Sequence, residues 1–316
     1  MTQVNAAFLF PGQGSQKVGM GKSLTDSSKD AKAVFETADS ALGESLSKLI
    51  LEGPDDTLTL TANTQPAILT VSIAALRAFQ EKSDFEPRFV AGHSLGEFSA
   101  LVASGSLGLS DAVKITRSRG TFMQDAVEPG KGGMAAVVGE ISTEKLSDVC
   151  RSVSTSDAIV APANLNAPTQ VVISGHKEAV EKASNALEEL DLRVIPLQVS
   201  APFHSSLMKP AADKLGEVLN EYQFGDMKIP VVSNVEAAPN SDASRVQELL
   251  VNQVTAPVRW VESMRYMLDH GINTFIEFGP GNVLTGLMKR IERKTTMVSV
   301  NSIEGVDKAI ATLEKL

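Results

Sequence analysis

The sequence predicts an α/β protein: a parallel sheet wrapped by helices, with a smaller unit of order βαββαβ inserted into it. Three observations carry this. Short apolar runs that suit buried strands alternate with helical patterns at both ends of the chain. The middle opens at a Pro129-Gly130-Lys131-Gly132-Gly133 breaker and then changes its rhythm. The third is the stretch Gly92-His93-Ser94-Leu95-Gly96, which sits where an apolar run gives way to a helical one.

Taken in order, Ala6–Phe10, Phe89–Ala91, Pro230–Val235 and Thr274–Phe278 read as short buried strands. Between them Ala67–Glu81, Asp111–Asp125, Pro210–Tyr222 and Val261–Asp269 carry apolar residues at helical spacing. Such an alternation calls for parallel strands, with ligand chemistry at their carboxyl ends. In the middle the pattern gives strand Met134–Val138, helix Thr143–Val153, strands Ile159–Asn164 and Gln170–Ser174, helix Lys177–Leu190 and strand Arg193–Val199. That is the order of a ferredoxin-like unit. It places the insertion at 128–200, with 1–127 and 201–316 closing one larger domain around it.

Bulk properties narrow the function. A chain of 316 residues with 43% hydrophobic content suits a globular protein with a large core. The net charge is −9 and the basic residues are scattered apart from one late cluster, which argues against a nucleic-acid partner. MTQVNAAFLF has neither the basic segment nor the long apolar run of a secretory signal, and no stretch approaches membrane-spanning length. The single cysteine, Cys150, cannot form an internal disulfide and falls on an amphipathic helical pattern, so it reads as a packing residue. The expectation is a cytoplasmic protein.

The glycine-flanked serine carries the chemistry. A strand that turns into a helix within a residue or two brings backbone segments close together, and glycines on both sides remove the side chains that would clash. Ser94 then stands at the tip of a nucleophile elbow, with the N–H groups of the helix start facing whatever it attacks. A serine hydroxyl needs a base, and histidine is the usual one. The chain has four. His93 adjoins Ser94 and points elsewhere at a tight turn, His176 reads as a surface residue at a helix start, and His270 reads as a helix-end residue. His204, on the loop before the helix that Pro210 initiates, remains. Between Ser94 and His204 the acids fall on solvent-facing helical patterns, so a Ser–His dyad is expected, with a backbone carbonyl fixing the imidazole tautomer.

The first strand ends in FPGQGSQ, residues 10–16. It lacks the Lys-Ser/Thr ending of a phosphate-binding loop. Its better role is to supply the Gln13 N–H as a second oxyanion-hole donor beside the Leu95 N–H. The helical run Arg117-Ser118-Arg119-Gly120 offers an arginine whose planar fork could bind a substrate carboxylate. Residue physics does not choose between Arg117 and Arg119.

FPGQGSQ, QPAI at 65–68, GHSLGEFSAL at 92–101, RGTFMQ at 119–124, APFHSSLMKPAADKL at 201–215, NQVTAPVRW at 252–260 and EFGPGNVLTGL at 277–287 together resemble the malonyl-CoA:acyl carrier protein transacylase family. These are acyltransferases of fatty-acid and polyketide synthesis. The resemblance spans essentially the whole chain. It implies a hydrolase-like α/β domain with a ferredoxin-like insertion, Ser94 as the acyl-accepting nucleophile and His204 as its base. It favours Arg119 as the clamp on the malonyl carboxylate, Gln13 and Leu95 as the oxyanion hole, and Gln253 as the residue whose backbone carbonyl orients His204. In related polyketide-synthase domains a phenylalanine just before the histidine accompanies malonyl selectivity, a pattern that Phe203 fits and Ala201 departs from.

The expected reaction is a two-step exchange through a malonyl-serine ester, from malonyl-CoA to the phosphopantetheine thiol of an acyl carrier protein, with no metal or bound cofactor. A serine thioesterase or esterase and a non-catalytic carrier-binding module are the rivals. The late basic cluster, Lys289, Arg290, Arg293 and Lys294, lies at helical spacings and suits either a docking patch for an acidic carrier or a solvated helix end.

Overall fold

The computed structural model describes residues 2–199 and 201–316; the expected domain limits at Met1 and Ser200 lie outside the described residues. Among the described residues ten strands form two sheets. In chain order they are β1 (Thr2–Phe10), β2 (Phe85–Gly92), β3 (Gly132–Val138), β4 (Val160–Ala167), β5 (Gln170–His176), β6 (Arg193–Pro196), β7 (Val231–Val232), β8 (Pro239–Asn240), β9 (Thr274–Phe278) and β10 (Thr296–Val300).

The larger sheet has the order β10-β9-β1-β2-β7-β8, parallel throughout except for the edge strand β8. Helices cover both faces, so the central strands are apolar almost without interruption, and all five residues of β9 are buried. On one face Phe8, Phe79 and Phe278 meet in tilted and edge-to-face contacts with ring centroids 4.8 Å (Phe8 to Phe278) and 5.4 Å (Phe79 to Phe278) apart. On the other, Leu9, Ala91 and Phe275 pack with Trp260 and Met264 from the Trp260–Asp269 helix.

The smaller sheet, β4-β5-β3-β6, is antiparallel, and with the Thr143–Val153 and Lys177–Glu188 helices it has the expected order βαββαβ. Its strands alternate. Ala135, Val137 and Ile173 face Leu146, Ala183 and Leu187 on the two helices, while Ala136 and Val172 face the main core. Two close approaches join this sheet to the rest. A Cβ on Gly132 would stand 2.3 Å from Pro202 Cδ. The Leu165 N–H donates to Val258 O, and the Val258 N–H to Ala163 O, both at 2.9 Å.

Some strands differ from the sequence pattern for visible reasons. Only Val231–Val232 of the apolar run 230–235 pairs in the sheet, because Asn234 leaves the ladder to bond the chain around Ser94. The strand from Arg193 ends at Pro196, and Leu197 and Val199 line a cavity instead. Strand β10 lacks the continuous apolar run of its neighbours, since as an edge strand it buries only Val298 and Val300.

The topology fixes where ligands go. The chain leaves β1 to one side for β2 and later returns to the other side for β9, so the order reverses at β1, where a crevice opens beyond the strand ends. Phe10 and Gly92 are opposite each other there. FPGQGSQ and the Ser94 turn therefore emerge side by side. They are very close: a Cβ on Gly96 would lie 2.1 Å from Phe10 O, and one on Gly92 1.8 Å from Gly96 C. Backbone on both sides cannot yield as a side chain would. Gly96→Ala should therefore destabilise the protein by about 3 kcal/mol or more, read as a lower urea midpoint with unchanged slope; an unchanged midpoint would contradict the close approach.

Candidate active site

Ser94 occupies a left-handed backbone conformation, φ 50°, between the end of β2 and the Gly96–Ser104 helix. The strained angle falls on the serine, and the flanking glycines serve the close approach described above. Asn234 holds this turn from the end of β7. Its Oδ1 accepts the Ser94 N–H at 2.7 Å and its Nδ2 donates to Gly92 O at 2.7 Å. A single amide thus spans the turn and keeps the serine hydroxyl pointing out of it.

His204 is brought to that hydroxyl from far along the chain. Its Nε2 lies 2.8 Å from Ser94 Oγ, and its Nδ1 lies 2.8 Å from the carbonyl oxygen of Gln253. Only an Nδ1–H can donate to a carbonyl, so the tautomer is fixed and Nε2 presents its lone pair to the serine. His204 also has a positive φ, 57°. Non-glycine residues in that region are held there by their surroundings, and here both partners of one hydrogen bond are held in it.

The structure separates the two arginines. Arg117 turns outward, donating to Asn63 Oδ1 at 2.6 Å and pairing with Glu44 at the surface. Arg119 is 1% exposed and turns inward. Its Nη1 donates to Gln65 Oε1 (2.8 Å), its Nη2 to Gln253 Oε1 (2.8 Å) and Ser94 Oγ (3.2 Å), and Phe98 lies under the guanidinium. Gly120 lets its helix come this close to Thr61–Gln80, since a Cβ there would sit 2.5 Å from Thr61 O. The guanidinium stands beside the Ser94 hydroxyl with no carboxylate in direct contact among the described residues.

These groups open onto a cavity of about 500 Å³, lined among others by Gln13, Gln65, His93, Ser94, Leu95, Arg119, Phe203 and His204. Met134 and Asn164 from the smaller sheet, with Leu197 just past the end of β6, form its other wall. Gln13 sits on the rim, its Nε2 donating to Thr61 Oγ1 at 3.2 Å. Neither the Gln13 nor the Leu95 backbone N–H donates to another group among the described residues. No group of three or more His, Cys, Asp or Glu side chains suited to a metal occurs among the described residues, and no helix is long and apolar enough to cross a membrane.

Burial dominates the electrostatics. It pushes the His204 imidazole down to about 3, with the neighbouring Arg119 charge acting the same way and the Gln253 carbonyl opposing. It pushes Arg119 down to about 10, opposed by Glu97. It pushes the Glu97 carboxyl up to about 7, against the bonds from Asn234 and Gln253 and the Arg119 charge. His204 is thus a neutral imidazole at neutral pH, while Arg119 stays a cation.

The remaining histidines have other tasks. His93 Nε2 lies 2.8 Å from Asn166 Oδ1, away from Ser94 Oγ. His270 ends the Trp260–Asp269 helix as expected. His176 is more than a surface residue at a helix start: its Nδ1 accepts the Ile159 N–H at 3.0 Å and ties β5 to the chain entering β4. Cys150 is buried in the core between the smaller sheet and its helices, its thiol pushed up to about 12 by burial. Lys289 and Arg290 are exposed in the last turn of Val283–Ile291, with Arg290 Nη1 donating to Gln170 Oε1 at 2.5 Å. Arg293 and Lys294 lie past the end of that helix, because it stops at Ile291, so the four do not share a helical face. None of them lines the cavity.

Sequence patterns assign no role to three residues around the site, Gln65, Asn234 and Glu97, although Gln65 opens QPAI and Glu97 lies within GHSLGEFSAL. The one signal available was an acid inside the otherwise apolar helix Gly96–Ser104. A buried Glu there needs partners.

Comparison with known proteins gives one consistent picture. The family described as "Acyl transferase domain" matches residues 7–309. A relative from Bacillus subtilis (strain 168), a malonyl CoA-acyl carrier protein transacylase, is 49% identical over 310 residues, covering 98% of this chain and 97% of its own. The solved structure of the malonyl CoA-acyl carrier protein transacylase from Coxiella burnetii is similar with a TM-score of 0.96 at 39% identity, over 99% of this chain and 98% of that one. A type II PKS acyl-carrier protein has been solved in complex with its malonyl-transacylase. The similarity there has a TM-score of 0.93 at 41% identity, over 98% of this chain and 99% of that one.

The desolvated imidazole has a measurable signature. Ser94 should be labelled by an uncharged sulfonyl fluoride at a rate that does not fall through pH 6.5, the ordinary histidine value, and declines only toward pH 3. A limb near 6.5 that persists in Glu97→Gln would contradict the shift. Stability follows with a definite sign: between 6.5 and 3 the unfolded chain binds a proton at this histidine that the folded one refuses, so acidification through that window destabilises the fold.

Proposed function

The chain belongs to the acyl transferase domain family, and from that premise we propose how its residues carry out the reaction. It transfers the malonyl group from malonyl-CoA to the phosphopantetheine thiol of acyl carrier protein, a function supported by the full-length likeness to transacylases of that name and to one solved with its carrier. The observation that carries the mechanism is the hydrogen bond from Ser94 Oγ to His204 Nε2 beside a buried Arg119.

In this reading Ser94 Oγ attacks the thioester carbonyl carbon while His204 Nε2 takes the hydroxyl proton. The Gln253 carbonyl on Nδ1–H steadies the imidazolium that forms. The developing oxyanion is received by the N–H groups of Gln13 and Leu95. Collapse breaks the carbon–sulfur bond, the CoA thiolate takes the proton from His204, and a malonyl-serine ester remains. The carrier's thiol then repeats the sequence in reverse, giving its proton to His204 and leaving with the malonyl group. Nucleophile, base and carboxylate clamp all come from the chain, so we assign no metal or bound cofactor, and we place the protein in the cytoplasm.

Arg119 supplies the selectivity. One methylene separates the malonyl carboxylate from the thioester carbonyl, so a carboxylate held by Arg119 puts the carbonyl over Ser94, which the same guanidinium already reaches. Phe203, buried at the cavity wall beside His204, is assigned to restrict branching at that methylene. The same reading divides the chain into a large unit, 1–127 and 201–316, and an inserted unit, 128–200.

Mixing the enzyme with radiolabelled malonyl-CoA and then adding carrier protein tests the whole scheme: label should appear on the enzyme and then on the carrier. Free malonate as the main product would mean a thioesterase, and label that never leaves CoA a binding module. Ser94→Ala should give no malonyl adduct by mass spectrometry, and His204→Ala should acylate about 10²–10⁴-fold more slowly. Arg119→Ala should lower kcat/KM for malonyl-CoA far more than for acetyl-CoA, because only malonyl brings a carboxylate that would be left unpaired in the pocket. Equal loss for both substrates would make Arg119 structural.

A further inference from the structure

One buried acid takes no part in those steps. Glu97 is 3% exposed, in the first turn of Gly96–Ser104. Its Oε2 accepts the Asn234 N–H at 3.0 Å and Gln253 Nε2 at 2.9 Å. The Gln253 amide in turn faces two ways. Its Nε2 also donates to Ser94 O at 3.0 Å, and its Oε1 accepts from Arg119 Nη2 at 2.8 Å.

An amide can stand either way round, and its neighbours decide which. Turned over, Gln253 would set Oε1 against the Glu97 carboxylate and the Ser94 carbonyl, and its NH₂ against the guanidinium. Acceptor would meet acceptor and donor would meet donor. Of the three acceptors that prevent this, the Ser94 carbonyl and the more distant Asn234 Oδ1, 3.5 Å from Nε2, are neutral and Glu97 can carry charge; the charge-assisted bond is the stronger.

We propose that Glu97 is a positioning residue for the substrate carboxylate: by fixing which way round the Gln253 amide stands, it holds the Arg119 guanidinium at the angle that receives malonyl. This rests on the reading of Arg119 as the carboxylate clamp. The two arms of the site separate here, because His204 is held by the Gln253 backbone carbonyl, which does not turn with the side chain. Losing Glu97 should therefore loosen the clamp and leave the base in place. A Glu97 that only braced the helix start through the Asn234 N–H would disturb both arms together.

The test uses the full-length enzyme with two readouts: steady-state malonyl transfer, and labelling of Ser94 by an uncharged sulfonyl fluoride, which brings no carboxylate for Arg119 to hold. Glu97→Met keeps the bulk and removes the acceptor. It should raise KM for malonyl-CoA about tenfold to a hundredfold, with sulfonyl labelling within about twofold of wild type. Glu97→Gln, whose side-chain oxygen can accept the same two N–H groups, should restore malonyl KM to within about threefold. In an Arg119→Ala background Glu97→Met should cost nothing further, since the clamp it serves is gone. Parallel loss of both readouts, no change in either, a Glu97→Gln as impaired as Glu97→Met, or additive losses with Arg119→Ala would each overturn the proposal. Should Glu97→Met not fold, Glu97→Asp, which withdraws the oxygens by one methylene, carries the same expectation on KM. Wild-type transfer is measured first: its absence would fail the malonyl-transfer reading, whereas an active wild type with unseparated readouts fails only the role of Glu97.

Discussion

The site is organised around one buried side chain and its own backbone. Gln253, fully buried in the Val246–Thr255 helix, takes the His204 Nδ1–H on its carbonyl and the Arg119 guanidinium on its amide oxygen, and gives its amide hydrogens to Ser94 O and Glu97. One residue therefore sets the tautomer of His204, the orientation of the Arg119 guanidinium and the carbonyl of Ser94. These groups come from three separate segments of the chain, Ser94 with Glu97, Arg119, and His204, and an error in the placement of this helix would displace all of them at once.

The arrangement is costly in isolation. A guanidinium and a carboxyl lie buried without touching, joined only through a neutral amide, and two residues hold positive φ. Desolvating charges costs several kcal/mol each unless hydrogen bonds replace the lost water. Here Gln65, Gln253, Asn234 and Ser94 supply those bonds. The same desolvation keeps His204 neutral, and so ready to accept a proton. The interior that makes the site expensive also keeps that imidazole unprotonated.

The larger frame acts through distance. Parallel strands β1 and β2 end level with each other, and the three glycines 12, 92 and 96 allow their loops to touch backbone to backbone. The smaller sheet contributes through Gly132 against Pro202, which seats the loop bearing His204, and through the side chains that close the cavity. Its two helices stand on the far side, away from the chemistry, where Leu146, Ala183 and Leu187 bury its outer face.

Local patterns in the chain determined a good deal. The alternation of apolar and helical runs set the α/β class, and the glycine spacing around Ser94 marked the turn, because both are rules about residues near each other in sequence. Thr143–Val153 and Thr274–Phe278 could be read to the residue, since a capping serine bounds the first and unbroken burial defines the second. His204 followed from elimination among four histidines. Strand ends were less legible: nothing local says that Asn234 quits the sheet, because its partners, Gly92 and Ser94, lie some 140 positions away. The choice between Arg117 and Arg119 had the same difficulty. Two positions apart on one helix they point in different directions, and which direction is inward depends on where Thr61–Gln80 packs. Glu97 was hidden for a related reason, since an acid in a first helical turn reads as an ordinary complement to the helix dipole. Only the fold, by closing Gln253 and Asn234 over it, turned that acid into part of the site, because hydrogen bonds between distant segments exist only once packing has brought them together.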